Sequence, residues 1–284
     1  MKTSNHLLRR LTAALLAAVL ALSIALPVFA SDDGDTIYIN SVSDLLSLAK
    51  SCAYDQWSVG KTVILQKDLS LEGMLWEPIP SFSGQFKGNG HTISDLTITG
   101  QYSPAGLFGI VEEQGSIESL SVRGIVSVSD SADTTTGGIV GINHGTLINC
   151  QFTGVVTGDS EVGGIVGRNE SEGTIDHSTA RAIVTGKSST GGIAGYNLGA
   201  ITGCTNVGSI NTEYQEASLD TDGFTAKMVD QINNKMAAAD DDATNSVTNV
   251  ATDTGGIAGR SSGMILTSVN TGTCLLYTSP SPRD

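Results

Sequence analysis

Apolar and polar positions in this chain repeat with a period of tens of residues, and they alternate inside each period. The marker of the period is a five-residue word, Gly-Gly-Ile-Val/Ala-Gly. It occurs at Gly137–Gly141, Gly163–Gly167, Gly191–Gly195 and Gly255–Gly259, with a divergent copy at Ala105–Gly109. Successive copies begin 32, 26, 28 and 64 residues apart. Each word is followed by a further glycine: Gly115, Gly145, Gly173, Gly199 and Gly263. Two residues beyond it stand Ile117, Leu147, Ile175, Ile201 and Ile265. Five beyond stand Leu120, Cys150, Ser178, Cys204 and Ser268, and seven beyond stand Val122, Phe152, Ala180, Asn206 and Asn270. Nine beyond, the residue is Gly124, Gly154, Ala182, Gly208 or Gly272, and eleven beyond it is Val126, Val156, Val184 or Ile210. Offsets five to eleven share parity and therefore point to one face of a strand. That face is small or apolar, except that Asn206 and Asn270 interrupt it. The alternate positions, among them Gln151, Thr153, Thr179, Arg181, Thr205 and Ser209, form a polar face.

A unit this short cannot bury its own apolar face, so neighbouring units must stack. Short strands, glycine corners and one coil per unit predict a parallel β-helix, with equivalent residues above one another at about 4.8 Å. Asn143, Asn169 and Asn197 share one place after the word, followed by Ser261. Stacked amides there can form an asparagine ladder; asparagine also simply suits a turn. Cys150 and Cys204 share a column with Ser178 between them, which sets them roughly 9–10 Å apart. A disulfide needs Cα atoms within about 7 Å. They are therefore expected to be reduced, buried small residues, neither a bridge nor a metal pair.

The remaining segments divide the chain. Residues 1–30 carry a basic start (Lys2, Arg9, Arg10), an apolar run Leu11–Ala25 and a small-residue site Val28-Phe29-Ala30, the pattern of a secretory signal peptide. Residues 31–80 hold a cap and the first strands. Ser41–Ala53 reads as an amphipathic helix capped by Ser41, with Asp44 three residues on. Lys61–Gln66 reads as a strand, and the helix with Trp57 or Trp76 is the candidate cap of the open end. Residues 81–210 are read as coils and 211–254 as an insertion. The insertion holds a predicted helix, 225–239, whose stripe Met228, Ile232 and Met236 packs on the scaffold or forms a partner surface. Residues 255–273 form a further coil. Residues 274–284, CLLYTSPSPRD, resemble a translated sequencing adapter, which implies a truncated gene product lacking C-terminal domains.

The formal net charge is −14. It argues against nucleic acid and anionic membrane surfaces as partners, and no second apolar run of spanning length follows the leader. The sparse cysteines do not make a disulfide framework.

The repeat word, the lead-in FSGQFKGNGHTISDLTI and the preceding KTVILQKDLSL–WEPIP segment resemble bacterial cell-surface proteins with GLUG-motif repeats. The resemblance covers roughly Thr36–Thr273. It implies a right-handed parallel β-helix, here with a short N-terminal capping helix and one helix-bearing insertion. Such regions occur in adhesin-like surface proteins and upstream of the catalytic domain of IgA-specific zinc metallopeptidases.

No set of catalytic residues is legible. The His-Glu-x-x-His pair of a zinc peptidase is absent, as is the Gly-x-Ser-x-Gly elbow of a hydrolase. His91, His144 and His177 fall at unrelated places. Asp159 with Glu161, and Glu170 with Glu172, are close in sequence but sit in turns. Asp220-Thr221-Asp222-Gly223 lacks the remaining ligands of a calcium loop. Arg168, Tyr196 and Arg260 share a column just after the word and form the candidate ligand strip. The sequence therefore predicts a secreted or cell-surface adhesion or stalk module, non-catalytic, without metal or cofactor, facing an extracellular glycan or protein. The alternatives are the non-catalytic N-terminal region of a secreted zinc metallopeptidase and a polysaccharide-active β-helix enzyme.

Overall fold

The computed structural model describes residues 35–54, 56–128, 134–212 and 252–274. The leader 1–30, the calcium-loop candidate Asp220–Gly223, the predicted helix 225–239 and residues 275–284 lie outside them. Within the described residues the chain winds as a parallel β-solenoid of about six turns. Sheet 1 runs from Thr36–Ile39 to Met264–Leu266, sheet 2 from Leu69–Ser70 to Val269–Asn270, and sheet 3 from Ile79–Phe82 to Ala258–Ser261. Sheet 4 has four strands and begins only at Thr136–Gly137.

Strict register is what buries the core. Val63, Phe86, Ile117, Leu147, Ile175, Ile201 and Ile265 form one row through sheet 1. All but Ile265 are fully buried. The row Ile98, Val126, Val156, Val184 and Ile210 does the same in sheet 2. Each buried aliphatic side chain contributes about 1.5–3 kcal/mol, and each is covered by its equivalents one rung away.

The geometry explains the glycine word. Its first two residues lie in or beside sheet 4, and its last three enter sheet 3. The second glycine faces the opposite wall: a Cβ at Gly138 would collide with the Phe152 ring, and one at Gly164 would lie 2.9 Å from the Ala180 Cβ. At Gly192 it would collide with the Asn206 amide, and at Gly256 it would meet the Asn270 amide at 2.5 Å. The interior is one side chain thick there, so one wall must have none. The last glycine packs on the sheet 4 backbone; a Cβ at Gly167 would lie 2.6 Å from the Thr136 nitrogen.

Two amide columns run inside the solenoid. Asn143 Nδ2 donates to Asn169 Oδ1 at 2.8 Å, Asn169 Nδ2 to Asn197 Oδ1 at 2.8 Å, and Asn197 Nδ2 to Ser261 Oγ at 3.1 Å. All three asparagines are fully buried. The second column corrects the sequence reading. Asn206 and Asn270 do not disrupt the inner face: Asn206 Nδ2 donates to Asn270 Oδ1 at 2.7 Å, and Asn206 Oδ1 accepts from the Gly208 N–H at 3.1 Å. They hold the same row as Phe152 and Ala180 and replace apolar contact with amide stacking.

Cys150, Ser178 and Cys204 form another inner column. The Cys150 N–H donates to Ser178 Oγ at 3.1 Å, the Ser178 N–H to Cys204 Sγ at 3.5 Å, and the Cys204 N–H to Ser268 Oγ at 3.1 Å. Both cysteines are free and buried. Burial pushes the Cys150 thiol up to about 12 and the Cys204 thiol up to about 11.

Helix α1 (Val42–Ser51) is the one α-helix among the described residues and covers the N-terminal end. It packs on Thr36–Ile39 and Ile79–Phe82, the first strands of sheets 1 and 3, and buries Leu45 and Leu48. Ser41 Oγ accepts from the Asp44 N–H at 3.2 Å, and Asp44 accepts in return from the Asn40 N–H at 2.9 Å. The reciprocal bond of the capping box is thus displaced by one residue. Trp76 belongs to the wall: it is buried, and its Nε1 donates to the Leu107 carbonyl at 3.1 Å. Trp57 packs partly buried against the core, with Lys61 Nζ 5.3 Å from its ring.

Candidate functional site

The residues of the candidate strip fall in one column on sheet 3. Ile110, Ile142, Arg168, Tyr196 and Arg260 are in register on consecutive rungs. Arg168 comes from below Tyr196 and Arg260 from above, with their guanidinium carbons 5.1 and 5.4 Å from the ring centroid. Each cation–π contact is worth about 0.5–1 kcal/mol at an exposed site. The two guanidinium groups thus occupy both sides of the Tyr196 ring.

The two arginines differ. Arg168 Nη1 donates to Glu161 Oε1 at 2.9 Å and its Nε to Glu170 Oε1 at 2.6 Å. Glu161 is itself held by the Thr135 hydroxyl at 3.0 Å. Partial burial opposes the Arg168 charge, but the two carboxylates outweigh it and raise its pKa. Arg260 is exposed and makes no ion pair among the described residues. Arg168 is thus held between two carboxylates, whereas Arg260 is exposed and touches the Tyr196 ring.

The carboxylate pairs weighed from the sequence are engaged otherwise. Glu161 and Glu170 share Arg168, Asp159 pairs with Lys187 Nζ at 2.6 Å, and Glu172 accepts from the Ser171 hydroxyl at 2.7 Å. That hydroxyl is the main cause of the lowered Glu172 pKa. The histidines do not converge: His91 pairs with Asp68 at 3.1 Å, His177 with Asp176 at 2.8 Å, and His144 stands on another turn. Among the described residues no group of three or more His, Cys, Asp or Glu could hold a metal ion, and no helix is long and apolar enough to cross a membrane.

Comparison with known proteins places one of these coils. Residues 158–185 match the family model "The GLUG motif". The chain carries a GLUG motif. The matched span holds the word Gly163–Gly167, the ladder residue Asn169 and the Glu161–Arg168–Glu170 clamp. Halomucin of Haloquadratum walsbyi is 32% identical over 155 residues, covering 50% of this chain and 2% of halomucin. A protein named "Putative Gly-rich membrane protein", from Evansella cellulosilytica, is 29% identical over 137 residues, 35% of this chain and 16% of that protein. The chain thus spans a small part of the length of either relative. The crystal structure of "a putative immunoglobulin A1 protease from Bacteroides ovatus" superposes with a TM-score of 0.57 at 18% identity, over 84% of this chain and 66% of that one. At that identity the likeness shows the fold.

The shared column of Arg168, Tyr196 and Arg260 is legible in the sequence; the carboxylate clamp on Arg168 is not. Glu161 adopts a left-handed backbone, φ 48°, at the entry to sheet 4, and only the winding brings it against Arg168, seven residues on. A polar bowl near α1 is not legible in the sequence, because its walls come from four separate segments.

Proposed function

We propose that this chain is a surface-displayed solenoid module that engages extracellular glycan or protein along its sheet 3 face. The observation that carries the reading is the Arg168–Tyr196–Arg260 column, where register sets the exposed Arg260, without an ion pair among the described residues, over the Tyr196 ring on a stiff wall. The asparagine ladders supply the stiffness, because a ladder residue cannot leave its rung without stranding a buried amide. The names of the relatives, a halomucin and a Gly-rich membrane protein, favour placement outside the cell or at its surface. Stalk and adhesion roles both use the same rod; the strip favours adhesion.

The test is binding of the purified chain to immobilised mucin and to an array of extracellular glycans. Saturable binding that Arg260→Ala and Tyr196→Ala each weaken about tenfold supports the reading. Binding that both variants leave intact moves the ligand face elsewhere, and release of unsaturated sugars from an acidic polysaccharide would replace adhesion with catalysis.

The likeness to the Bacteroides ovatus structure favours a second reading, a non-catalytic region of a secreted peptidase. A His-Glu-x-x-His helix found on the same polypeptide as this solenoid would select it.

A further inference from the structure

A second concave site lies near the capped end, apart from the Arg–Tyr–Arg strip. A cavity of about 420 Å³ opens between the loop after α1, the Glu112–Gln114 turn and His144. Its volume is in the range of small-molecule sites, about 300–1,000 Å³. Four chain segments build it, Ser81 and Ser83 completing the lining between the loop and the Glu112 turn, and each wall is fixed. The loop is tied down by Ser58, which is buried and accepts from the Ser83 N–H at 2.9 Å. Glu112 is oriented by the Ser81 hydroxyl at 2.8 Å, and its turn is closed by the Gly115 N–H donating to the Glu112 carbonyl at 2.8 Å. His144 directly follows Asn143, the first rung of the ladder, and its own N–H donates to the Val111 carbonyl at 2.8 Å.

The lining is chemically distinctive. Seven of its eight residues are polar, and none is lysine or arginine. The side chains of Glu113 and Gln114 are exposed and hydrogen-bond to nothing among the described residues. Carboxylate, amide and imidazole groups converging on one bowl suit a ligand with several adjacent hydroxyls, each able to donate and accept. Val59, 42% exposed on the rim, offers an apolar contact for the C–H face of a ring. Two carboxylates with no lysine or arginine to offset them disfavour an anion.

We propose that this bowl is a saccharide site for a single sugar residue that is neutral or carries an amine. A uronic or sialic acid is excluded by Glu112 and Glu113. The site does not depend on the strip, and its chemistry is opposite: Arg260 favours an anionic group, the bowl a neutral or cationic one.

The test is titration of the full chain, by calorimetry and ligand-observed NMR, with methyl glucoside, methyl galactoside, methyl mannoside, glucosamine and glucuronate. At least one of the first four is expected to bind saturably at millimolar concentration, with glucuronate at least tenfold weaker. Glu113→Gln and His144→Ala, both at surface positions, should each weaken binding at least fivefold with an unchanged circular dichroism spectrum, while Arg260→Ala leaves it unaltered. Gln114→Ala provides a third variant should either of those fail to fold. No saturable binding of the four sugars up to about 50 mM, equal binding of glucuronate, or binding indifferent to the bowl variants would each overturn the proposal.

Discussion

Asn206 and Asn270 stand 64 residues apart in sequence and share a 2.7 Å hydrogen bond inside the solenoid. Their amides lie against Gly192 and Gly256 of the facing wall, where any Cβ would collide with them. The two asparagines and the two glycines are thus one device, repeated on successive rungs. Asn169 is the stricter case, because its neighbours Asn143 and Asn197 are both fully buried. A buried group left without its partner costs about 1–3 kcal/mol. Asn169→Ala should therefore lower unfolding stability by about 3–5 kcal/mol, and Asn206→Ala, beside the exposed Asn270, by about 1–3 kcal/mol. Urea unfolding measures both; equal losses, or a change under 1 kcal/mol at Asn169, would refute the ladder as a source of stability.

Gly164→Ala should be far costlier than Gly60→Ala. The first places a methyl group against the Gly192 carbonyl and 2.9 Å from the Ala180 Cβ, inside the core. The second has nothing within 4 Å and incurs only the strain of φ +74°, about 1–2 kcal/mol. Thermal unfolding should show Gly164→Ala losing at least twice as much, and the reverse ranking would contradict the thin interior.

The thiols should divide by burial. Cys52 is pushed up to about 11, Cys204 to about 11 and Cys150 to about 12, each chiefly by desolvation. At pH 8 almost none of any of them is thiolate, the reactive form. Native protein should expose only Cys274, which is partly accessible, to a disulfide reagent within minutes; denaturant should release the other three. Fast labelling of Cys150 in native protein would count against the buried column.

Acid should loosen the N-terminal cap before the coils. The Asn40 N–H, and then the Ser41 side chain, hold the Asp44 carboxyl below its ordinary 3.8. A depressed folded value means that this contribution is complete above the unfolded pKa and is lost as pH falls through the folded one. Amide exchange in 42–51 should therefore accelerate relative to the coils below about pH 4. Asp44→Asn should remove the difference between pH 5 and pH 3, and an unchanged difference would place the titrating group elsewhere.

What could be read from the chain follows from how the solenoid is made. Neighbouring rungs repeat the same environment, so Ile117, Leu147, Ile175 and Ile201 declare a common row by recurrence alone. The Asn143–Asn169–Asn197 column and the spacing of Cys150 from Cys204 are visible for the same reason. Sheet 4 was not, because two-residue strands such as Thr136–Gly137 and Val162–Gly163 are too short to show alternation. Asn206 looked like an error, since a polar residue on an inner face is unfavourable unless a partner lies above it, and Asn270 is its partner only once 64 residues have wound back to the same place.

The sequence by itself determined the period, the inward and outward faces and the rows, because each depends on local alternation and on likeness between units. Tertiary structure alone decided which unlike residues meet: Glu161 with Arg168, Gly192 with Asn206, the Glu112 turn with His144. Those contacts depend on the rise and closure of each coil, a distance in space that no spacing along the chain encodes.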